Sequence, residues 1–487
     1  MVTDKTASTN AGKPLLEDKV PKLQGDLGGL GLFFTVMAFN APLVIVIGVI
    51  PLMIALGNGI GAPVLVVVCG LIVAAFATGF LRMSDVLQRP GAFYAYVTAG
   101  LGKPLGLGAG LSMLLAYFCL CAGYLAFGGV VLSSLISTTF HGPQLPWYVC
   151  ALAFWLVVAV LGYLRVDLSA KVTAVVLVGE LIVVFIYDAV IFARGGADGL
   201  SAAPFDPVNW FGGSIAVGLL LASGIFGGYE VTVLFRDEVR DPAKTIPRAT
   251  YGLIACVVLL YVVTTWLFLN ALGIDEAVST VTADPTAAMD SSLVTFGGHL
   301  LLDTATVLVN TSVLAVLVCG HNVGARYLFN LGADGVFPRI VSRVHSRHGS
   351  PHIASIAMSA AALVVNLVVV LLGIDALAFY AAILGIAALI GITVQFLTAV
   401  AIPIYLRSTG NHTGHMLRSI VLPLMAAAGF GAIMVVSILN FPILTGGSQT
   451  VSNVLLVFVY GIFFFGVALA SVLRRRRPEV YQRIGRQ

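Results

Sequence analysis

Twelve stretches of this chain are apolar and long enough to cross a bilayer: roughly 30–56, 62–82, 105–136, 146–164, 170–193, 211–235, 249–272, 300–331, 353–373, 376–405, 418–440 and 450–473. Each is measured against the about 20 residues that a helix needs to traverse the hydrocarbon core. No other property restricts the fold so much. Inside lipid every backbone N–H and C=O must find a partner within the protein, so such segments are helices. The composition agrees, with 59% of 487 residues apolar and 10% charged, against about 25% charged in a soluble domain. The expected fold class is an all-α polytopic membrane protein with 12 transmembrane helices.

The basic residues orient these segments. With the N-terminus in the cytoplasm and strict alternation, 25 of the 26 lysines and arginines fall on the cytoplasmic side, and only Arg194 lies outside. One miscounted span would spoil that asymmetry, so the positive-inside pattern supports count and orientation together. The expectation is a multi-pass protein of the cytoplasmic (inner) membrane with both termini cytoplasmic. Residues 1–29 form an N-terminal tail, 30–473 a single transporter domain, and 474–487 a basic C-terminal tail. The outer loop 273–299 has room for short amphipathic helices. The net charge of +4 is too small to suggest nucleic acid, so the lipid bilayer is the expected macroscopic partner. The polar N-terminus does not read as a signal peptide, whose apolar core comes early.

Catalytic signals are missing. The six cysteines, Cys69, Cys119, Cys121, Cys150, Cys256 and Cys319, sit in apolar segments without a loop pairing pattern. They suggest neither disulfides nor a metal site. There is no nucleophile elbow, histidine–glutamate metal signature or phosphate-binding loop. The chain does not read as an enzyme, and no cofactor is expected. Any uphill transport must draw on an ion or exchange gradient.

Two spans carry helix breakers near their middles. The sixth contains Ser223-Gly224-Ile225-Phe226-Gly227-Gly228-Tyr229-Glu230, in which each glycine disfavours helix by about 1 kcal/mol relative to alanine. The first contains Phe39-Asn40-Ala41-Pro42-Leu43, and proline removes a helical hydrogen bond and restricts the residue before it. Unwound backbone at membrane depth is tolerated where it lines a cavity or binds a ligand. Two breaks five spans apart lie in segments of opposite orientation, as an inverted repeat of spans 1–5 (about 30–193) and 6–10 (about 211–405) would give, with two further helices over about 418–473. Paired broken helices point to a transporter binding site. The alternative is close packing of small residues between helices.

Ionisable side chains inside the spans are few. Glu180 lies mid-span, where an acid is disfavoured by about 2.5–3.5 kcal/mol on insertion scales. It reads either as a proton or cation partner or as a hydrogen-bonded strut. Glu230 follows the glycines and reads more as a brace for the break than as a ligand. Asp188 and Asp303 are expected at the interface, in contact with solvent. Phe226 sits in the break, where it could cover a substrate. Tyr117 and Tyr124 are seven residues apart and share a helix face. With Tyr380 they are candidates to line the same site.

Several stretches together resemble a known family. Phe226-Gly227-Gly228-Tyr229-Glu230, followed by Asp237-Glu238-Val239-Arg240-Asp241-Pro242-Ala243-Lys244-Thr245-Ile246-Pro247-Arg248-Ala249, resembles the signature of amino acid permeases of the amino acid–polyamine–organocation superfamily. Gln88-Arg89-Pro90-Gly91-Ala92-Phe93-Tyr94-Ala95-Tyr96 is similar to that family's loop before span 3. Arg326-Tyr327-Leu328-Phe329, Ala333-Asp334-Gly335-Val336-Phe337-Pro338, His345 and Ser350-Pro351-His352 are similar to its loop after span 8. Ala41-Pro42-Leu43 resembles a bacterial branch of the family.

The resemblance implies the five-plus-five inverted repeat of the leucine transporter, plus helices 11 and 12. It also implies that a substrate carboxylate meets backbone N–H groups near Asn40, Ala41, Pro42 and Leu43. The substrate amine would meet carbonyls near Ser223, Gly224, Ile225, Phe226 and Gly227, with Phe226 as an aromatic gate. Two departures stand out. Glu180 occupies the place where several sodium-independent relatives carry a lysine, and Pro42 offers no N–H to a carboxylate. The expected function is secondary active transport of an amino acid or related small amine by alternating access, with a coupling proton. The alternatives are a polyamine or amino-alcohol permease, a substrate exchanger and, further off, a nutrient sensor that does not transport. No metal site is expected.

Overall fold

The computed structural model describes residues 28–87, 92–164, 170–233, 239, 241–345, 350–411, 413 and 415–485. Most of the N-terminal tail and parts of the motif loops, including 88–91 and 234–238, lie outside the described residues. Among the described residues the fold is entirely helical, without a β-strand element. Eleven helical segments are long and apolar enough to cross a membrane. The stretch 30–56 is not among them because it is broken into three: α1 (Gly29–Asn40), α2 (Pro42–Gly48) and α3 (Ile50–Leu56). The cause is local. Pro42 has no N–H and disfavours helical geometry before it, and Ala41 takes the left-handed conformation, φ 52°. That conformation disfavours an L-residue by about 1–2 kcal/mol. Pro42 then opens α2 at the first helical position, where its missing N–H does no harm.

The remaining helices follow in order: α4 (Ala62–Leu87), α5 (Ala92–Leu101), α6 (Lys103–Ser134), α7 (Trp147–Leu164), α8 (Ala170–Arg194), α9 (Ile215–Gly224), α10 (Pro242–Leu272), α11 (Ile274–Ala283), α12 (Pro285–Ala333), α13 (His352–Leu371), α14 (Ala376–Ser408), α15 (Leu422–Leu439), α16 (Gln449–Arg476) and α17 (Pro478–Arg483). The loop expected over 273–299 is helical, formed by α11 and the first part of α12, which bends at Gly298.

Packing partners come in mirrored pairs. α6 packs on α14 while α8 packs on α12; α6 packs on α13 while α7 packs on α12; α2 lies against α8 while α9 lies against α14. Exchanging the first five spans with the second five interconverts the members of each pair. This is the five-plus-five inverted repeat, with α15 and α16 packed outside it on α14, α4 and α6. Close approach is bought by small residues, as in membrane helix packing generally: a Cβ on Gly466 of α16 would stand 2.8 Å from the Cα of Gly108 on α6. The outer face is apolar, with Leu156, Val175, Phe192, Leu367, Val457 and Phe465 exposed. So many exposed large apolar side chains suit the outer surface of a multi-pass membrane protein.

Candidate functional site

The breaks in the first and sixth spans meet at the centre of the bundle. α9 ends at Gly224, the chain runs through a turn, and a 3-10 helix resumes at Tyr229–Val233. Gly228 is in the left-handed region, φ 104°, open to glycine and strained for other residues. The Asn40 side chain spans the gap between the breaks. Its Nδ2 donates to the Ile225 carbonyl at 2.6 Å, and its Oδ1 accepts the hydroxyl of Tyr261 on α10. Unwound backbone exposes polar groups, and Asn40 of the first break satisfies one on the second, the Ile225 carbonyl, while Tyr261 holds the Asn40 amide.

The first free N–H of α2 belongs to Leu43, since Pro42 has none. It donates to Glu180 Oε2 of α8 at 3.2 Å. Glu180 is 2% exposed, and Ser312 of α12 hydrogen-bonds the same carboxylate. An anion at a helix N-terminus is favoured by the backbone dipoles, and here the protein supplies it. On the second break, Glu230 Oε2 accepts the Gly228 N–H at 3.0 Å. The carboxylate therefore fixes the turn that Gly228 permits.

A cavity of about 130 Å³ lies beside the second break. Ser223, Gly224, Gly227, Gly228 and Glu230 form one wall, with Tyr117 and Tyr124 of α6 and Gln395 of α14 across it. The other lining is apolar, including Ile45, Met113 and Leu384. Below the break, Tyr229 packs edge-on against Phe76 at 6.1 Å and Phe80 at 6.3 Å.

A family model for amino acid permeases matches residues 36–481. The chain belongs to the amino acid permease family. Among its relatives, the branched-chain amino acid permease BcaP of Bacillus subtilis is 23% identical over 332 residues, 62% of this chain and 66% of that protein. The lysine-specific permease LysP of Lactococcus lactis is 26% identical over 324 residues, covering 62% and 61%. The rabbit large neutral amino acids transporter small subunit 2 is 26% identical over 312 residues, covering 60% and 55%. The chain thus matches slightly under two thirds of the length of these curated relatives. They are permeases and transporters, not enzymes.

Of the residues expected from the sequence, this permease brings Ser223, Gly224, Gly227, Glu230, Tyr117 and Tyr124 to the cavity wall. Asn40, Ala41, Pro42, Leu43, Ile225 and Glu180 cluster beside it without lining it; they hold one another. Phe226 does not line the cavity either. It is buried, with its ring toward Gly70 of α4, where a Cβ would meet Phe226 Cζ at 3.2 Å. Tyr380 stacks on Phe127 at 4.8 Å and stands behind Tyr124 at 5.7 Å. Asp188 is corrected: it is 6% exposed, and its Oδ2 accepts from Thr264 Oγ1 at 2.8 Å. A position near a span end does not give the direction of the side chain, and Asp188 faces α10. The family loop motifs also meet, through Tyr94 Oη and Asp334 Oδ2 at 3.4 Å.

Sequence reasoning missed Tyr261, Gln395 and Ser312. Gln395 had a usable signal, an uncharged amide inside an apolar span. Tyr261 had none, because tyrosine is common in such spans and only the fold sets it against Asn40.

Proposed function

We propose that this permease is a secondary active transporter that moves an amino acid or a related small amine across the cytoplasmic membrane by alternating access, driven by protons. Both termini would be cytoplasmic, as the charge asymmetry of the loops favours. The observation that carries the reading is the joining of the two breaks by Asn40 beside a cavity walled by the second. Rocking of either break must rearrange the other. The named substrates of the relatives are branched-chain, lysine and large neutral amino acids. Amino acids share an α-amine and an α-carboxylate, and the Glu230 carboxylate on the cavity wall suits the amine.

Glu180 is the proposed proton carrier. Its ionised form accepts the Leu43 N–H in a charge-assisted bond, roughly twice as strong as a neutral one. Protonation weakens that hold and frees α2 to tilt. Glu180→Gln mimics the protonated form. In proteoliposomes it should abolish uptake driven by an inward proton gradient while keeping exchange of internal for external substrate. Gradient-driven uptake at the wild-type rate in Glu180→Gln would remove the proton-carrier assignment. Counterflow of labelled substrate by the wild type separates a transporter from a sensor that only binds.

A further inference from the structure

We infer that the site selects small amines that carry no carboxylate, and that Glu230 sets this selection. The inference rests on the transport reading and narrows its substrate.

Three observations converge. The first is occupancy. The Leu43 N–H is the earliest one α2 can offer, because Pro42 has none and the left-handed Ala41 supplies no side-chain cap. Glu180 Oε2 already takes it at 3.2 Å. A ligand carboxylate at that end would have to displace a resident carboxylate and stand against its charge, and two carboxylates in one site repel. The second is access. Asn40, Ala41, Pro42 and Leu43 do not line the cavity; the first span reaches it only through Ile45 and Val49, both apolar. The third is charge. Among the described lining residues the one charged side chain is Glu230, with no lysine, arginine or histidine. A buried carboxylate is stabilised by a cation at contact distance, and its oxygens can accept more hydrogen bonds than the one from Gly228. The charge on the wall complements an ammonium group, and no lining side chain carries a charge that complements an anion.

Size agrees. A cavity of about 150 Å³ accommodates a molecule the size of benzene, and this one holds about 130 Å³. An aliphatic amine of about six heavy atoms fits that space on the same scale. A carboxylate adds three atoms where the wall is Ile45 and Val49. The ammonium would sit between Glu230 and the turn at Gly224–Gly227, with its chain along Leu384 and Leu120.

The test compares each amino acid with its decarboxylated counterpart, using the full-length protein in proteoliposomes: isoamylamine against leucine, and putrescine against ornithine. Counterflow of the labelled amine should exceed that of its amino acid at least tenfold, and only the amines should raise the melting temperature. Glu230→Gln keeps an acceptor for the Gly228 N–H and removes the charge from the cavity wall, so the amine-to-amino-acid ratio in counterflow should fall at least tenfold. If that variant does not fold, the wild-type pairs decide. Exchange of leucine or ornithine as fast as the matching amine would overturn the inference while leaving transport intact. An unchanged ratio in folded Glu230→Gln would overturn the role of Glu230. Exchange of none of the four compounds would remove the transport reading and the inference with it.

Discussion

The first break turns the chain at one residue, Ala41, and its polar groups are taken up by partners from elsewhere in the fold: the Leu43 N–H by Glu180, and the Asn40 amide by Tyr261 and the Ile225 carbonyl. The second takes Ile225 to Gly228 to make its turn, uses glycine to do so, and opens onto the cavity. Spans in corresponding places of an inverted repeat have thus divided the work. One is a sealed joint whose polar groups are satisfied across long separations in the chain. The other is a cavity wall whose polar groups are held mainly by near neighbours, such as Glu230 on Gly228. A joint held by distant partners transmits their movements, and a wall held locally can adapt to a ligand.

If that division is right, the largest effect comes from breaking the joint. Asn40→Leu removes the amide that satisfies both the Ile225 carbonyl and the Tyr261 hydroxyl. Each buried group left without a partner destabilises by about 1–3 kcal/mol. The variant should melt several degrees lower in detergent and lose transport, because the two breaks no longer move together. Asn40→Leu with wild-type melting and wild-type counterflow would show that the joint couples nothing.

Next in size is the wall. Gly228→Ala places a Cβ on a residue at φ 104°, a strain of about 1–2 kcal/mol. It also disturbs the N–H that Glu230 accepts. Transport should fall about tenfold if the strain of about 1.4 kcal/mol is felt during rocking, while the melting temperature falls less than in Asn40→Leu. A larger loss of stability at Gly228 than at Asn40 would reverse the comparison and make the second break the structural joint.

The contrast also explains what could be read from the sequence. Spans were legible because length and hydropathy are properties of one segment. The breaks were legible because Pro42 and the glycines act on their own backbone. The partners were not: Glu180 could be read as a proton or cation partner or as a hydrogen-bonded strut, and nothing near it in the chain names its partner, a backbone N–H more than a hundred residues away. Phe226 was expected over the site because it sits in the break. In a turn the side-chain direction follows the local dihedral angles, and these send its ring to Gly70. Asp188 failed for a related reason, since depth along a span carries no information about which neighbour a residue faces.

The smallest expected effect sharpens the comparison from the other side. Tyr229 begins the 3-10 helix after the second break, is 1% exposed, and its hydroxyl has no hydrogen-bond partner among the described residues. The ring itself is well held between Phe76 and Phe80. If the wall is anchored by this aromatic packing rather than by polar contacts, Tyr229→Phe keeps what matters. It also relieves the desolvation of an unpaired hydroxyl, a penalty of about 1–3 kcal/mol. Melting should stay level or rise by a degree or two, and counterflow should stay within about twofold of wild type, the scatter expected for a contact-neutral change. A marked fall in counterflow with stability unchanged would mean that the hydroxyl finds a partner in another state of the cycle, and would place part of the moving machinery below the break instead of at it.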